Sequence, residues 1–195
     1  MKNTFKKALP FLALLLCLGL LIGFFATAFS EKLHTARYLL YSEKITAPLR
    51  IVMLSDLHGS FYGKNQEELL SAIEDCDPHL VVIAGDLFDE HTKHTAATAL
   101  LKGITEKFPC YYVTGNHEYA ADLKEIKELL DQYGVQPLWG EGVLLSLQGQ
   151  ELFLAGIADE NHSLYFQSPP LPDTAGQLSH LEKERQEHGD RFSLL

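Results

Sequence analysis

Three short polar clusters at even spacing carry the residue types that can do chemistry: Asp56-Leu57-His58-Gly59, Gly85-Asp86-Leu87-Phe88-Asp89 and Gly115-Asn116-His117-Glu118. Carboxylate, imidazole and amide oxygen suit Mn, Fe, Zn or Mg rather than soft, thiolate-preferring ions. A carboxylate such as Asp86 has two oxygens and can serve two ions at once. Asn116 is a neutral donor, which limits the negative charge of a centre that must also accept an anion. Glycines at 59, 85 and 115 permit sharp turns and close backbone approach where a side chain would stand in the way. His117, beside Asn116 and not needed as a ligand, is placed to assist a leaving oxygen.

Each cluster directly follows an apolar run: Leu49 to Ser55, Leu80 to Ala84, and Tyr111 to Thr114. Val, Ile, Leu and Tyr without alternation predict parallel strands covered on both faces. Ligands of such sheets gather beyond the carboxyl ends of the strands, so all three clusters are expected at one rim. Amphipathic helices are predicted over Asn65 to Asp75, Thr95 to Phe108 and Asp122 to Tyr133, with Leu100, Leu101 and Ile104 facing inward in the second. Strand and helix in alternation define an α/β domain. After Gly134 the character changes. Val135 to Trp139, Val143 to Leu147 and Leu152 to Ile157 read as strands of a second sheet joined by tight turns. A proline-rich surface loop from His162 to Asp173, a charged helix from Thr174 to Gly189 and the start of a strand at Arg191 to Leu195 complete the chain.

The pattern D-x-H, then G-D-x-x-D, then G-N-H-E resembles the calcineurin-like metallophosphoesterase superfamily, and most closely its membrane-anchored branch. The resemblance implies an α/β/β/α sandwich with mixed sheets and a centre of two divalent metal ions. It assigns Asp56 and His58 to the first ion, Asp86 to the bridge and Asn116 to the second ion. His117 matches the family's catalytic histidine, and Asp89 the acid that orients it. Glu118 is expected to support Asn116 and His117. The implied reaction is hydrolysis of a phosphomonoester or phosphodiester by water activated between the two ions, with His117 serving the leaving oxygen.

The net charge of −10 argues against non-specific nucleic-acid binding, and a hydrophobic content of 46% supports a real core. It does not disfavour a phosphorylated substrate, because bound cations reverse the local field. Lys2, Lys6 and Lys7 precede an uncharged run from Ala8 to Ser30. At about 1.5 Å per residue that run crosses a hydrocarbon core of roughly 30 Å. Residues 1–30 are therefore expected to be a single-pass anchor with a cytoplasmic N-terminus and the domain on the outer face. Ala26-Thr27-Ala28 also offers a signal-peptide cleavage site; the length of the run favours the anchor. Residues 31–48 form a connector whose Tyr38-Leu39-Leu40-Tyr41 is expected to be an edge strand, the alternative being a segment on the membrane surface. The phosphoesterase domain then occupies 49–195. A membrane position suggests a phosphorylated small molecule or a lipid-linked substrate. Cys76 and Cys110 read as small buried side chains rather than a disulfide.

Family members continue with a further metal-binding histidine and a Gly-His-x-His motif, and neither is in the sequence to Leu195. The resemblance therefore implies a domain shortened at its C-terminus, with an under-coordinated second ion and an exposed sheet edge. The alternative function is an inactive, membrane-tethered binding module. His91, His94, His162, His180 and His188 read chiefly as surface histidines.

Overall fold

The computed structural model describes residues 14–25, 33–91, 93–159 and 173–195. It divides into two units, Met1–Ala36 and Arg37–Leu195. In the first, residues 14–25 are helical (α1), with leucine, isoleucine and phenylalanine side chains exposed. Both ends of the predicted anchor, 8–13 and 26–30, lie outside the described residues. Among the described residues no helix is long and apolar enough to cross a membrane.

The second unit is built on a parallel sheet of β1 (Ile51–Leu54), β2 (Leu80–Ala84), β3 (Cys110–Val113) and β4 (Gln136–Pro137), side by side in that order. Ile51 lies opposite Leu80, Val81 opposite Cys110 and Tyr111 opposite Gln136. The crossovers are α2 (Glu67–Glu74), α3 (Thr95–Thr105) and α4 (Leu123–Tyr133). Crossovers of one hand in a sheet of this order place every helix on one face. In α3, Ala96, Ala97, Leu100, Leu101 and Ile104 form the buried stripe that helical spacing demands. The Asp122 side chain caps α4 by accepting from the amides of Lys124 and Glu125, and Gly134 ends the helix in the left-handed region.

The second sheet contains β5 (Glu141–Leu147), β6 (Gln150–Gly156) and β7 (Phe192–Leu194). β5 and β6 form a hairpin around Gln148-Gly149, both at positive φ, the geometry that suits strand twist. β7 runs parallel to β6, so the sheet is mixed. Leu80 and Leu138 of the first layer meet Leu152 and Leu154 of the second, with Val82, Val113, Val143 and Leu194 packed around them. On the outer side of β6, Leu181 of α5 (Thr174–Glu187) covers Phe153 and Ala155. Helices, sheet, sheet, helix is the expected α/β/β/α layering.

Two expectations are corrected. The connector forms no strand over residues 33–48, and Tyr38, Leu39, Leu40 and Tyr41 are between 75% and 88% exposed. The buried Gln150 carboxamide holds its end instead, accepting from the Thr46 amide (2.8 Å) and donating to the Ala47 carbonyl (2.6 Å), while Lys44 pairs with Asp190. Those side-chain bonds satisfy the backbone that a neighbouring strand would otherwise have paired. Val135 to Trp139 belongs to the first sheet, not the second: only Gln136–Pro137 is strand, and it pairs with β3. Pro137 lacks an amide hydrogen, which suits it to this sheet's edge. The predicted loop over 160–172 lies outside the described residues.

Leu152→Ala, which empties the fully buried centre between the sheets, is expected to cost about 2–5 kcal/mol in urea unfolding. Leu39→Ser in the exposed connector is expected to shift stability by no more than about 0.5 kcal/mol.

Candidate metal centre

The rim is an extension of the parallel sheet past the ends of its strands. The Asp56 amide donates to the Gly85 carbonyl (3.3 Å), His58 to Asp86 (2.8 Å) and Gly59 to Leu87 (3.1 Å). These rungs force the loop after β1 to follow the loop after β2. Asp56, His58 and Asp86 accordingly take φ of 56°, 45° and 52°. Left-handed backbone at a non-glycine residue costs on the order of 1–3 kcal/mol and gathers at functional sites.

The loops after β2 and β3 touch backbone to backbone. A Cβ on Gly85 would lie 2.7 Å from the Gly115 nitrogen, and one on Gly115 only 2.6 Å from Asp86 Cγ. Glycine is thus required at both positions. The contact lets Asp86 Oδ1 accept from the His117 amide at 3.0 Å.

Glu118 locks the arrangement from beneath and is 0% exposed. Its Oε2 accepts from the amides of Gly115 (2.8 Å) and Asp86 (3.0 Å), and its Oε1 from Phe88 (3.0 Å). The expectation that Glu118 supports the rim holds through the backbone rather than through the side chains of Asn116 and His117. Below it, the buried Tyr112 hydroxyl lies beside this carboxylate without a hydrogen bond of ordinary geometry. Burial first, and Glu118 second, hold its pKa well above the usual phenol value. Tyr119 bonds Thr114 through its hydroxyl at 2.6 Å and is pushed up to about 12, chiefly by burial.

The side chains converge in two groups. Ligand atoms of Asp56, His58 and Asp86 lie within 4.8 Å of one another, as do those of His58, Asp89 and His117. His58 is common to both. The rings of His58 and His117 meet edge-on, centroids 4.4 Å apart. Their buried Nδ1 atoms form no hydrogen bond. His117 Nδ1 stands 3.6 Å from Asp89 and 3.5 Å from Glu90, ion-pair rather than hydrogen-bond range. Asp89 uses its other oxygen to accept from the His91 amide at 2.7 Å. Asn116 sits exposed on the rim between Gly115 and His117, its side chain not capping the short 3-10 turn His117–Tyr119. Carboxylates crowded around imidazoles whose Nδ1 atoms make no hydrogen bond form a donor set that fits a hard or borderline divalent cation.

Two supporting residues escaped the sequence analysis. Glu90 faces His117 as closely as Asp89 does, and only its place beside Asp89 hinted at this. Gln66 is buried beneath the first loop, accepting from the Tyr62 amide and donating to the carbonyls of Ser60 and Ala96. It thereby ties the segment carrying His58 to α3. His94 packs edge-on against Phe88 and lines a cavity of about 460 Å³ with Asp89, Glu90, Asp122 and Glu125. His91, His180 and His188 join neither ligand group, and His162 lies outside the described residues.

Glu118→Ala strands three inward-facing amides and is expected to lower stability by about 3 kcal/mol or more, read from urea unfolding. Glu118→Gln retains one acceptor oxygen and is expected to fall between that variant and the parent.

The calcineurin-like phosphoesterase family matches the chain over residues 49–190. A transmembrane protein with metallophosphoesterase domain from Bos taurus is 36% identical over 121 residues, 57% of this chain and 27% of that protein. The uncharacterized protein YpbG of Bacillus subtilis (strain 168) is 29% identical over 136 residues, 69% of this chain and 51% of that protein. The chain thus spans about a quarter to a half of the length of these curated relatives. TT1561 of Thermus thermophilus has the same fold, with a TM-score of 0.53 at 17% identity over 75% of this chain and 66% of that one. Because the match runs from just ahead of β1 to just ahead of β7 and takes in all three rim loops, the chain belongs to the calcineurin-like phosphoesterase family.

Proposed function

We propose that this chain hydrolyses a phosphoester, mono- or diester, using two divalent ions held by Asp56, His58, Asp86 and Asn116. The observation that carries the proposal is the convergence of Asp56, His58 and Asp86 on one rim, their ligand atoms within 4.8 Å. Bound ions would supply Lewis acidity at the phosphoryl oxygens and make water a stronger nucleophile at neutral pH.

The chain's own groups do the rest. Asp89 and Glu90 face His117 Nδ1 and set the ring's orientation, leaving Nε2 to give a proton to the departing oxygen. The His117 amide holds Asp86 in place through Oδ1. Gly59 presents bare backbone at the rim, where a phosphate can approach closely.

Residues 1–30, with their uncharged run 8–30, are proposed as the membrane anchor, with the N-terminus cytoplasmic and the domain on the outer face. The uncharged composition and the name of the bovine relative support an anchor, and the three lysines support its orientation. The substrate is then a phosphorylated small molecule or a lipid-linked phosphoester. The acidic balance favours no nucleic-acid partner.

Full-length chain in vesicles is expected to hydrolyse an aryl phosphate ester with manganese and to lose the activity in chelator. His117→Ala is expected to lower kcat/KM by about 10²–10⁴-fold while manganese binding, measured by calorimetry, persists. Asp86→Asn is expected to lose both. A folded chain that neither binds manganese nor turns over ester would exclude the hydrolase and leave the tethered binding module.

A further inference from the structure

The connector and the metal rim stand at opposite ends of the second unit. The connector is clasped where the strands begin: Thr46 and Ala47 by Gln150, the first residue of β6, and Lys44 by Asp190, just ahead of β7. At the same end the amide of Arg50, just before β1, bonds the His79 ring, just before β2. The rim is where the strands finish, at Asp56, Asp86 and Asn116. Gly156, the last residue of β6, packs against Val113, the last residue of β3, so β6 also ends there. Six extended residues, Arg50 to Ser55, separate the ends by roughly 20 Å at about 3.3 Å each.

Immediately before the clasp stands Tyr38-Leu39-Leu40-Tyr41, the most exposed apolar stretch among the described residues of this unit. Arg37 precedes it, and Ser42-Glu43 follow it. Tyrosine on either side of leucine, with a basic residue ahead, is the composition of a membrane–water interface. The uncharged run 8–30 is covalently continuous with it and would hold it at the surface of whatever bilayer that run enters.

We propose that Tyr38-Leu39-Leu40-Tyr41 beds into the lipid headgroup layer and that the metal rim faces away from the bilayer. The site then takes a water-soluble phosphoester in preference to a phosphate lying in the bilayer surface. This rests on the anchor reading above and chooses between its two substrate classes.

Depth-resolved fluorescence on the full-length chain in vesicles containing brominated phosphatidylcholine tests the arrangement. Leu40→Trp reports the connector and Phe61→Trp, exposed in the loop after His58, reports the rim side. The parent chain, with Trp139 as its single tryptophan, gives the baseline. Expected are flotation with the vesicles, loss of most added emission at position 40, and none at position 61. Flotation without quenching at position 40 overturns the headgroup contact while sparing the anchor; failure to float overturns both. Quenching at position 61 overturns the outward-facing rim. Turnover of a soluble aryl phosphodiester is expected to be unchanged between detergent and vesicles, with phosphatidic acid in the same vesicles untouched. Hydrolysis of that phosphatidic acid would overturn the substrate preference.

Discussion

The buried Glu118 carboxylate is the interaction on which the rim depends. A side chain with no solvent contact must have its oxygens satisfied from within, and three backbone amides do so. Two of those amides belong to the loop after β2 and one to the loop after β3. One residue thereby fixes the distance between two loops whose strands are already paired, and Asp86 inherits its position from that bond. The rim is an outcome of backbone accounting before it is an arrangement of ligands.

Strain at the rim fits the same logic. Asp56, His58 and Asp86 occupy left-handed backbone that an isolated loop would abandon, and the rungs from β1's loop to β2's loop hold them there. The leucine core between the sheets supplies the stability against which this strain is maintained. Gly85 and Gly115 supply the closeness, since any side chain at either would drive the two loops apart.

Most of this architecture was legible from local pattern. The unalternating runs of β1, β2 and β3 and the apolar stripe of α3 each depend on neighbours within a few positions. The polar clusters declared the rim because each sits immediately after its strand. What stayed hidden depends on partners far along the chain. Gln66 and Gln150 look like surface residues until the contacts that bury them are known, and Glu90 gained meaning only when His117 arrived beside it. Tyr38-Leu39-Leu40-Tyr41 has strand composition but no strand beside it, and Pro137 limits its own segment to two residues of pairing.

The Gln150 clasp has a mechanical meaning. A pull on the chain ahead of Thr46 meets the Gln150 carboxamide and the Lys44–Asp190 pair before it reaches β1. Tension therefore enters through the β5–β6 hairpin and the segment leading into β7, elements remote from the strained loops. A domain dragged by its leading end would shed its connector residue by residue, with unravelling halted at the clasp and the rim geometry undisturbed.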